Sequence, residues 1–294
     1  MTSTTAPAPL VTSPLVSTQW LADHLGGDGL VVLDATVLST LLPNGTVGYF
    51  SGDEQYLVEG HIPGALFADL IEEFSDPAGA YPFARPDVAR FEAAAGALGI
   101  DNESTVVVYD TAVAQWASRV WWLFRAFGYD RVAVLDGGLT KWRAEGRELE
   151  TGHREAEPAE FLAEERAELW VDKAYVEGVL RGEHDAALLC ATPAKEFTGE
   201  LTTRARAGHI PGSVSAPAAA LVDRESRALL SEDELRVTLE PVLGKPRIVT
   251  YCGGGIAAAS AALALTLLGE RSVAIYDASL NEWAADPTAP LATA

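Results

Sequence analysis

Gly60-His61-Ile62-Pro63-Gly64 returns 148 residues downstream as Gly208-His209-Ile210-Pro211-Gly212. Either pentapeptide alone is an ordinary turn, with Pro fixing φ and Gly free to take φ > 0. Three further strings repeat in the same order. Leu33-Asp34-Ala35-Thr36 matches Leu189-Cys190-Ala191-Thr192, and Thr105-Val106-Val107-Val108-Tyr109-Asp110 matches Arg247-Ile248-Val249-Thr250-Tyr251-Cys252. Asp136-Gly137-Gly138-Leu139-Thr140-Lys141-Trp142 matches Asp277-Ala278-Ser279-Leu280-Asn281-Glu282-Trp283. The four offsets shrink along the chain from 156 through 148 and 142 to 141 residues, so the first copy carries the longer connections. A period this long means one whole domain duplicated, not a solenoid.

Within each copy, short uninterrupted apolar runs alternate with helical stretches. The runs are 30–33, 105–109 and 132–135, then 187–189, 248–251 and 273–276. Unbroken Val- and Ile-rich runs fit strands buried on both faces of a parallel sheet. Helices are expected over 17–25, 86–98 and 118–127, then 171–181, 231–239 and 257–268. The fold class is therefore α/β, two tandem domains, each a mostly parallel sheet with helices on both faces. Residues 17–150 form the first domain, 151–168 a charged, Pro-containing linker, and 169–294 the second domain. Residues 1–16, rich in Thr, Ser, Pro and Ala, lack a basic n-region and an apolar core, and are expected to form a disordered leader. No apolar run reaches the ~18 residues of a membrane span, and the cytoplasm is the expected compartment.

The chain of 294 residues carries 42 acidic against 21 basic side chains, a formal charge of −21. Such a surface repels phosphate, which argues against nucleic acid and anionic membranes as partners. A small anion is not excluded, because a few converging main-chain amides override distant charge.

Cys190 and Cys252 are the only cysteines, too few for a disulfide framework and without metal-ligand spacing. Cys252 opens Cys252-Gly253-Gly254-Gly255-Ile256-Ala257, between a buried strand and an Ala-rich helix. Strand, glycine turn and helix N-terminus together make an anion cradle. Three consecutive glycines weaken a helix start and lose extra backbone entropy, so the loop needs a reason. A thiol inside it is expected to ionise more readily than a free cysteine and to act as a nucleophile. A phosphatase-type loop would place an arginine at position 258 to clamp phosphoryl oxygens, and Ala258 stands there. A compact ring of amides over 253–258 suits the single charge of a persulfide better than a phosphate.

The duplicated His-Ile-Pro-Gly turns, Ala117-Ser118-Arg119-Val120-Trp121-Trp122, Val134-Leu135-Asp136-Gly137-Gly138-Leu139 with Trp142, and Tyr251-Cys252-Gly253-Gly254-Gly255-Ile256-Ala257 together resemble the tandem-domain rhodaneses, the thiosulfate and 3-mercaptopyruvate sulfurtransferases. The resemblance runs from about Thr18 to Leu291. It implies a catalytically degenerate first domain, an active second domain, and a site near their interface. It further implies that Cys252 accepts a sulfane sulfur from a small anionic donor, thiosulfate in the first instance and 3-mercaptopyruvate as the alternative. The acceptor is then cyanide, a thiol or a protein, and no metal or organic cofactor is required. A non-catalytic module that binds a partner or relays persulfide is the competing class.

The chain also departs from that pattern. Asp110 stands at the cysteine position of the first copy. Ala257 ends the loop where the family commonly has Arg or Thr, and Gly254 stands where the mercaptopyruvate branch usually has Ser. Thr192 and Glu196 replace two anion-binding arginines, which leaves Lys195, Arg204 and Arg206 as candidate substrate-binding cations beside the loop amides of Gly253, Gly254, Gly255, Ile256, Ala257 and Ala258. His61 and His209 are expected to brace their turns, because the histidine persists in the copy without a nucleophile. Trp116, Trp121, Trp122 and Trp142 are expected in the core or at the interface, and Arg119 is expected to pair with a carboxylate there. Cys190 is expected to be a small core residue, with a disulfide to Cys252 as its functional alternative.

Overall fold

The structure, a computed structural model, describes residues 11–43 and 45–293. Twelve strands are defined among them: β1 (Leu15–Val16), β2 (Leu30–Asp34), β3 (Val37–Leu41), β4 (Val47–Ser51), β5 (Leu66–Phe67), β6 (Thr105–Tyr109), β7 (Val132–Leu135), β8 (Trp170–Val171), β9 (Ala187–Cys190), β10 (Val214–Ser215), β11 (Ile248–Tyr251) and β12 (Val273–Tyr276). The first sheet runs β1-β7-β6-β2-β5 and the second β8-β12-β11-β9-β10, every pairing parallel. The two orders are identical once the copies are superposed. Each expected apolar run lies inside one of these sheets. The two-residue edge strands escaped the sequence reading because so short a segment has no periodicity to detect.

Two expectations need correction. Residues 15 and 16 belong to no disordered leader: Leu15 registers with Val134 and Val16 with Leu135, so the first sheet captures them as its edge. The remainder of that leader up to residue 10 lies outside the described residues. The charged linker is irregular but not simply solvated. Phe161 is buried against Phe91, Phe124 and Tyr129, while the amides of Ala159, Glu164 and Arg166 donate to Gly96, Phe127 and Ala126 carbonyls. One aromatic side chain outweighs the surrounding charges because it removes a large apolar area from water.

Each central strand leads into a helix, Gln115–Ala126 after β6 and Ile256–Leu267 after β11. These two helices pack on each other, and the small side chains of the second let their backbones approach closely. One continuous apolar core consequently joins the domains, containing Trp116, Trp121 and Trp122 on one side and Ala258, Ala261 and Leu265 on the other. Trp142 is buried in a separate cluster of the first domain. No helix among the described residues is long and apolar enough to cross a membrane.

Polar ties at the junction follow the same pseudo-symmetry. Asp136 Oδ1 accepts the Leu229 amide at 2.8 Å, and Asp277 Oδ2 accepts the Arg85 amide at 3.0 Å, so each domain's aspartate reaches into the other domain. Arg119, fully buried, donates to Asp277 Oδ1 at 2.6 Å and to the Phe83 carbonyl at 2.9 Å, with its guanidinium 5.1 Å from the Trp170 ring centroid. The two turn histidines are braces. His61 Nδ1 meets the Tyr56 carbonyl at 3.1 Å and stacks on that ring, and His209 Nδ1 meets the Phe197 carbonyl at 2.8 Å and stacks likewise.

Asp34, at the end of β2, is buried and accepts the Thr36 amide and hydroxyl at 3.0 and 2.5 Å. Burial pushes its carboxyl from the ordinary 3.8 up to about 6, against the opposing pull of the Thr36 hydrogen bonds. The folded chain therefore holds this proton at pH values where the unfolded chain has released it. The contribution to stability is full below pH 3.8 and is lost as pH rises through about 6. Asp34→Asn should gain stability over wild type across that window, by up to about 3 kcal/mol at neutral pH. Urea unfolding of both proteins between pH 4 and 7 measures it; a pH-independent difference contradicts the burial of this charge.

Candidate active site

Tyr251 closes β11 with its hydroxyl fixed, accepting the Ile210 amide at 3.0 Å and donating to Ser213 Oγ at 2.7 Å. Cys252 follows at the carboxyl edge of the sheet, where open α/β folds bind ligands. At each of the three glycines after it, an added side chain would meet a neighbouring residue. A Cβ on Gly253 would lie 2.1 Å from Arg204 Nη2, and one on Gly254 would lie 2.7 Å from Asn281 Nδ2. A Cβ on Gly255 would lie 2.7 Å from Asp277 Oδ1, and its φ of +78° is the left-handed conformation that glycine adopts without strain.

Ser279 shapes this loop. Its hydroxyl accepts the amides of Cys252 at 3.1 Å and Gly255 at 3.2 Å, and donates to the Tyr276 carbonyl at 2.7 Å. To reach them it holds φ at 52°, a costly conformation for a residue with a Cβ. The loop carbonyls are tied as well, Cys252 O by the Leu280 amide and Gly253 O by the Asn281 amide. Among the described residues, nothing accepts from the amides of Gly253, Gly254, Ile256, Ala257 or Ala258.

The first domain shows what such a loop does with an anion. Asp110 takes the place of Cys252, and its own carboxylate fills the cradle. Oδ1 accepts the amides of Ala112 and Ala114 at 2.8 and 3.1 Å, and Oδ2 those of Trp116 and Ala117 at 2.9 and 3.0 Å. Burial raises the Asp110 pKa, and these four amides pull it down. Counted from the first residue of each helix, Trp116 and Ala117 correspond to Ala257 and Ala258.

Cys252 is 3% exposed and borders a cavity of about 190 Å3 between the domains. The second domain contributes Thr192, Glu196, Arg204, Gly253, Gly254, Ile256, Ala257 and Asn281 to its wall. From the first domain come Ser39, Tyr49, Phe83 and Trp116, among others. Of the three candidate cations only Arg204 reaches it. Lys195 is exposed outside the cavity. The Arg206 guanidinium is consumed by the carbonyls of Trp283, Ala284, Asp286 and Ala289, which fasten the C-terminal segment. Gly255 and Ala258 do not border the cavity: the first has its amide on Ser279, and the side chain of the second is in the interdomain core.

Arg204 is also already engaged. Its Nη1 contacts Glu196 Oε2 in a short ion pair, and its Nε donates to Asn281 Oδ1 at 3.3 Å. Cys190 belongs elsewhere. It packs in the apolar cluster with Tyr251 and Ile210, whereas Cys252 belongs to the interdomain core, and its thiol contacts Thr192 Oγ1 at 3.1 Å. Burial raises its pKa, which keeps it protonated. These placements support the core role for Cys190. Tyr49, Ser279 and Asn281 are the contributors that sequence reasoning missed. Ser279 carried a signal, because it replaces Gly138 of the first copy at a left-handed position.

The family model for the rhodanese-like domain matches twice, over residues 17–145 and 180–286. The chain belongs to the tandem rhodanese sulfurtransferases. This rhodanese is 34% identical over 287 residues to the 3-mercaptopyruvate sulfurtransferase of Escherichia coli, covering 95% of this chain and 98% of that one. It is 37% identical over 286 residues to the thiosulfate sulfurtransferase of Bos taurus, covering 92% and 91% respectively. Among solved structures, the 3-mercaptopyruvate sulfotransferase SseA from Escherichia coli matches with a TM-score of 0.79 at 33% identity, over 91% of this chain and 99% of that one. Sulfur transfer is the shared activity; the relatives divide over the donor.

Ser279→Ala should strip two loop amides and a carbonyl of their partner while keeping the strained backbone. Ser279→Gly loses the same hydroxyl but relieves φ. Both are expected to be less stable than wild type, the alanine variant by about 1 kcal/mol more than the glycine variant. Denaturant melts of the three proteins give the order, and equal stability of the two variants would refute strain at this position.

Proposed function

We propose that this rhodanese moves sulfur through a persulfide on Cys252, held by the loop amides that no protein group uses. The observation that carries this is the contrast between the two cradles. In the first domain four amides hold the Asp110 carboxylate, whereas in the second the corresponding space beside Cys252 has no built-in anion. A preorganised set of main-chain donors favours whatever charge develops there.

In the first half-reaction the Cys252 thiolate attacks the donor's transferable sulfur. With thiosulfate the S–S bond breaks and sulfite leaves. With 3-mercaptopyruvate the C–S bond breaks, pyruvate leaves as its enolate, and the thiol proton ends on the methyl carbon. A second nucleophile then removes the sulfur, giving ping-pong kinetics. Between these donors the cavity favours 3-mercaptopyruvate. It offers one guanidinium, half neutralised by Glu196, which suits a single carboxylate better than the two charges of thiosulfate.

Intact-mass measurement after exposure to either donor should show Cys252 heavier by one sulfur, and Cys252→Ser should gain nothing. The kcat/KM for 3-mercaptopyruvate should exceed that for thiosulfate by about tenfold or more, the effect of ~1.4 kcal/mol. Wild type that never takes up sulfur would end the persulfide reading, and a thiosulfate preference would end the donor assignment.

A further inference from the structure

Glu196, the acidic member of the Glu196–Arg204 pair, is the feature of this cavity that an anionic donor leaves unmatched. Both side chains are largely buried, 13% and 18% exposed. Among the described residues, they are the only acidic and basic side chains of the cavity wall. Their engagement with each other is partial. Glu196 uses Oε2 for the contact, and Arg204 uses Nη1 there and Nε toward Asn281. Among the described residues, Glu196 Oε1 and Arg204 Nη2 make no hydrogen bond, and Nη2 lies against Gly253, the residue next to the thiol. The pair thus leaves one carboxylate oxygen and one guanidinium nitrogen without a hydrogen bond on two residues of the cavity wall. Ions withdrawn from water in this way bind best a ligand that satisfies both. At about 190 Å3 the space is below the ~300–1,000 Å3 of pockets for drug-sized ligands, so that ligand is a molecule of a few carbons.

We propose that Glu196 determines acceptor specificity, making the site prefer a small thiol that carries both an ammonium and a carboxylate over one that is only anionic. The proposal rests on the persulfide reading above. The acceptor's ammonium meets Glu196 Oε1, its carboxylate meets Arg204 Nη2, and its sulfur is directed at the Cys252 persulfide. The acceptor thiolate attacks the outer sulfur. A new S–S bond forms as the bond to Cys252 Sγ breaks, and the electron pair of the broken bond returns to Cys252 as thiolate. The proton given up by the acceptor thiol ends on the product persulfide, and no external oxidant or reductant takes part. A purely anionic thiol meets Arg204 and also the uncompensated repulsion of Glu196. Discrimination of this kind depends on leaving a buried polar group unpaired with the wrong ligand.

The test loads Cys252 with inorganic polysulfide, removes the excess, and follows loss of the added sulfur by intact mass. Cysteine, cysteamine, 3-mercaptopropionate and 2-mercaptoethanol serve as acceptors. The ratio of rate constants for cysteine over 3-mercaptopropionate, compared between wild type and Glu196→Gln, cancels each thiol's intrinsic reactivity. It should fall about tenfold in the variant, and further in Glu196→Arg, with the cysteamine to 2-mercaptoethanol ratio falling in parallel. In wild type alone, alanine should inhibit transfer to 2-mercaptoethanol at concentrations where acetate does not. Unchanged ratios, or equal inhibition by alanine and acetate, would overturn the role of Glu196 while leaving the persulfide intact. Failure of wild type to take up sulfur during loading sinks both.

Discussion

Main-chain N–H groups at the start of a helix have no partner inside the helix, and burying them demands an acceptor. That requirement organises both halves of this protein. In the first it is met within the chain, since Asp110 folds its carboxylate back onto four amides. In the second it is met only in part. Ser279 takes the amides of Cys252 and Gly255, while Gly253, Gly254, Ile256 and Ala257 border the interdomain cavity. One residue type at the end of one strand therefore separates a cradle filled by its own chain from one that the described residues leave unfilled.

The loop's composition follows from what surrounds it more than from its own flexibility. Arg204, Asn281 and Asp277 each stand within about 3 Å of where a side chain on Gly253, Gly254 or Gly255 would begin. Glu196, Arg204 and Asn281 form one connected set resting on the loop, and Arg119 with Asp277 supports it from below.

The duplicated strings were enough to read the central strands, the parallel sheets and the position of the thiol, because buried parallel strands and strand–glycine–helix junctions leave strong local marks. Leu15–Val16 and the other two-residue edges were not legible, since their membership is decided by a neighbour and not by their own pattern. Phe161 was hidden among charges. At the site, Arg204 could be named as a candidate cation, but sequence spacing gave no means of ranking it above Lys195 or Arg206. That ranking needs the path of the loop before His209, which sends Arg206 toward the C-terminal carbonyls and Arg204 over Gly253. Tyr49 lay beyond reach for a different reason. It arrives on the β3–β4 hairpin of the other domain, where burial raises its pKa and the charges of Cys252 and Glu196 push it further up, against Arg204. Its hydroxyl consequently stays protonated.

The shared apolar seam between helices Gln115–Ala126 and Ile256–Leu267 also bears on why the copy lacking a thiol persists. Either half released from the other would show water a broad greasy surface, with Arg119 deprived of its carboxylate. The half that carries Asp110 thereby supplies one wall of the pocket that opens beside Cys252.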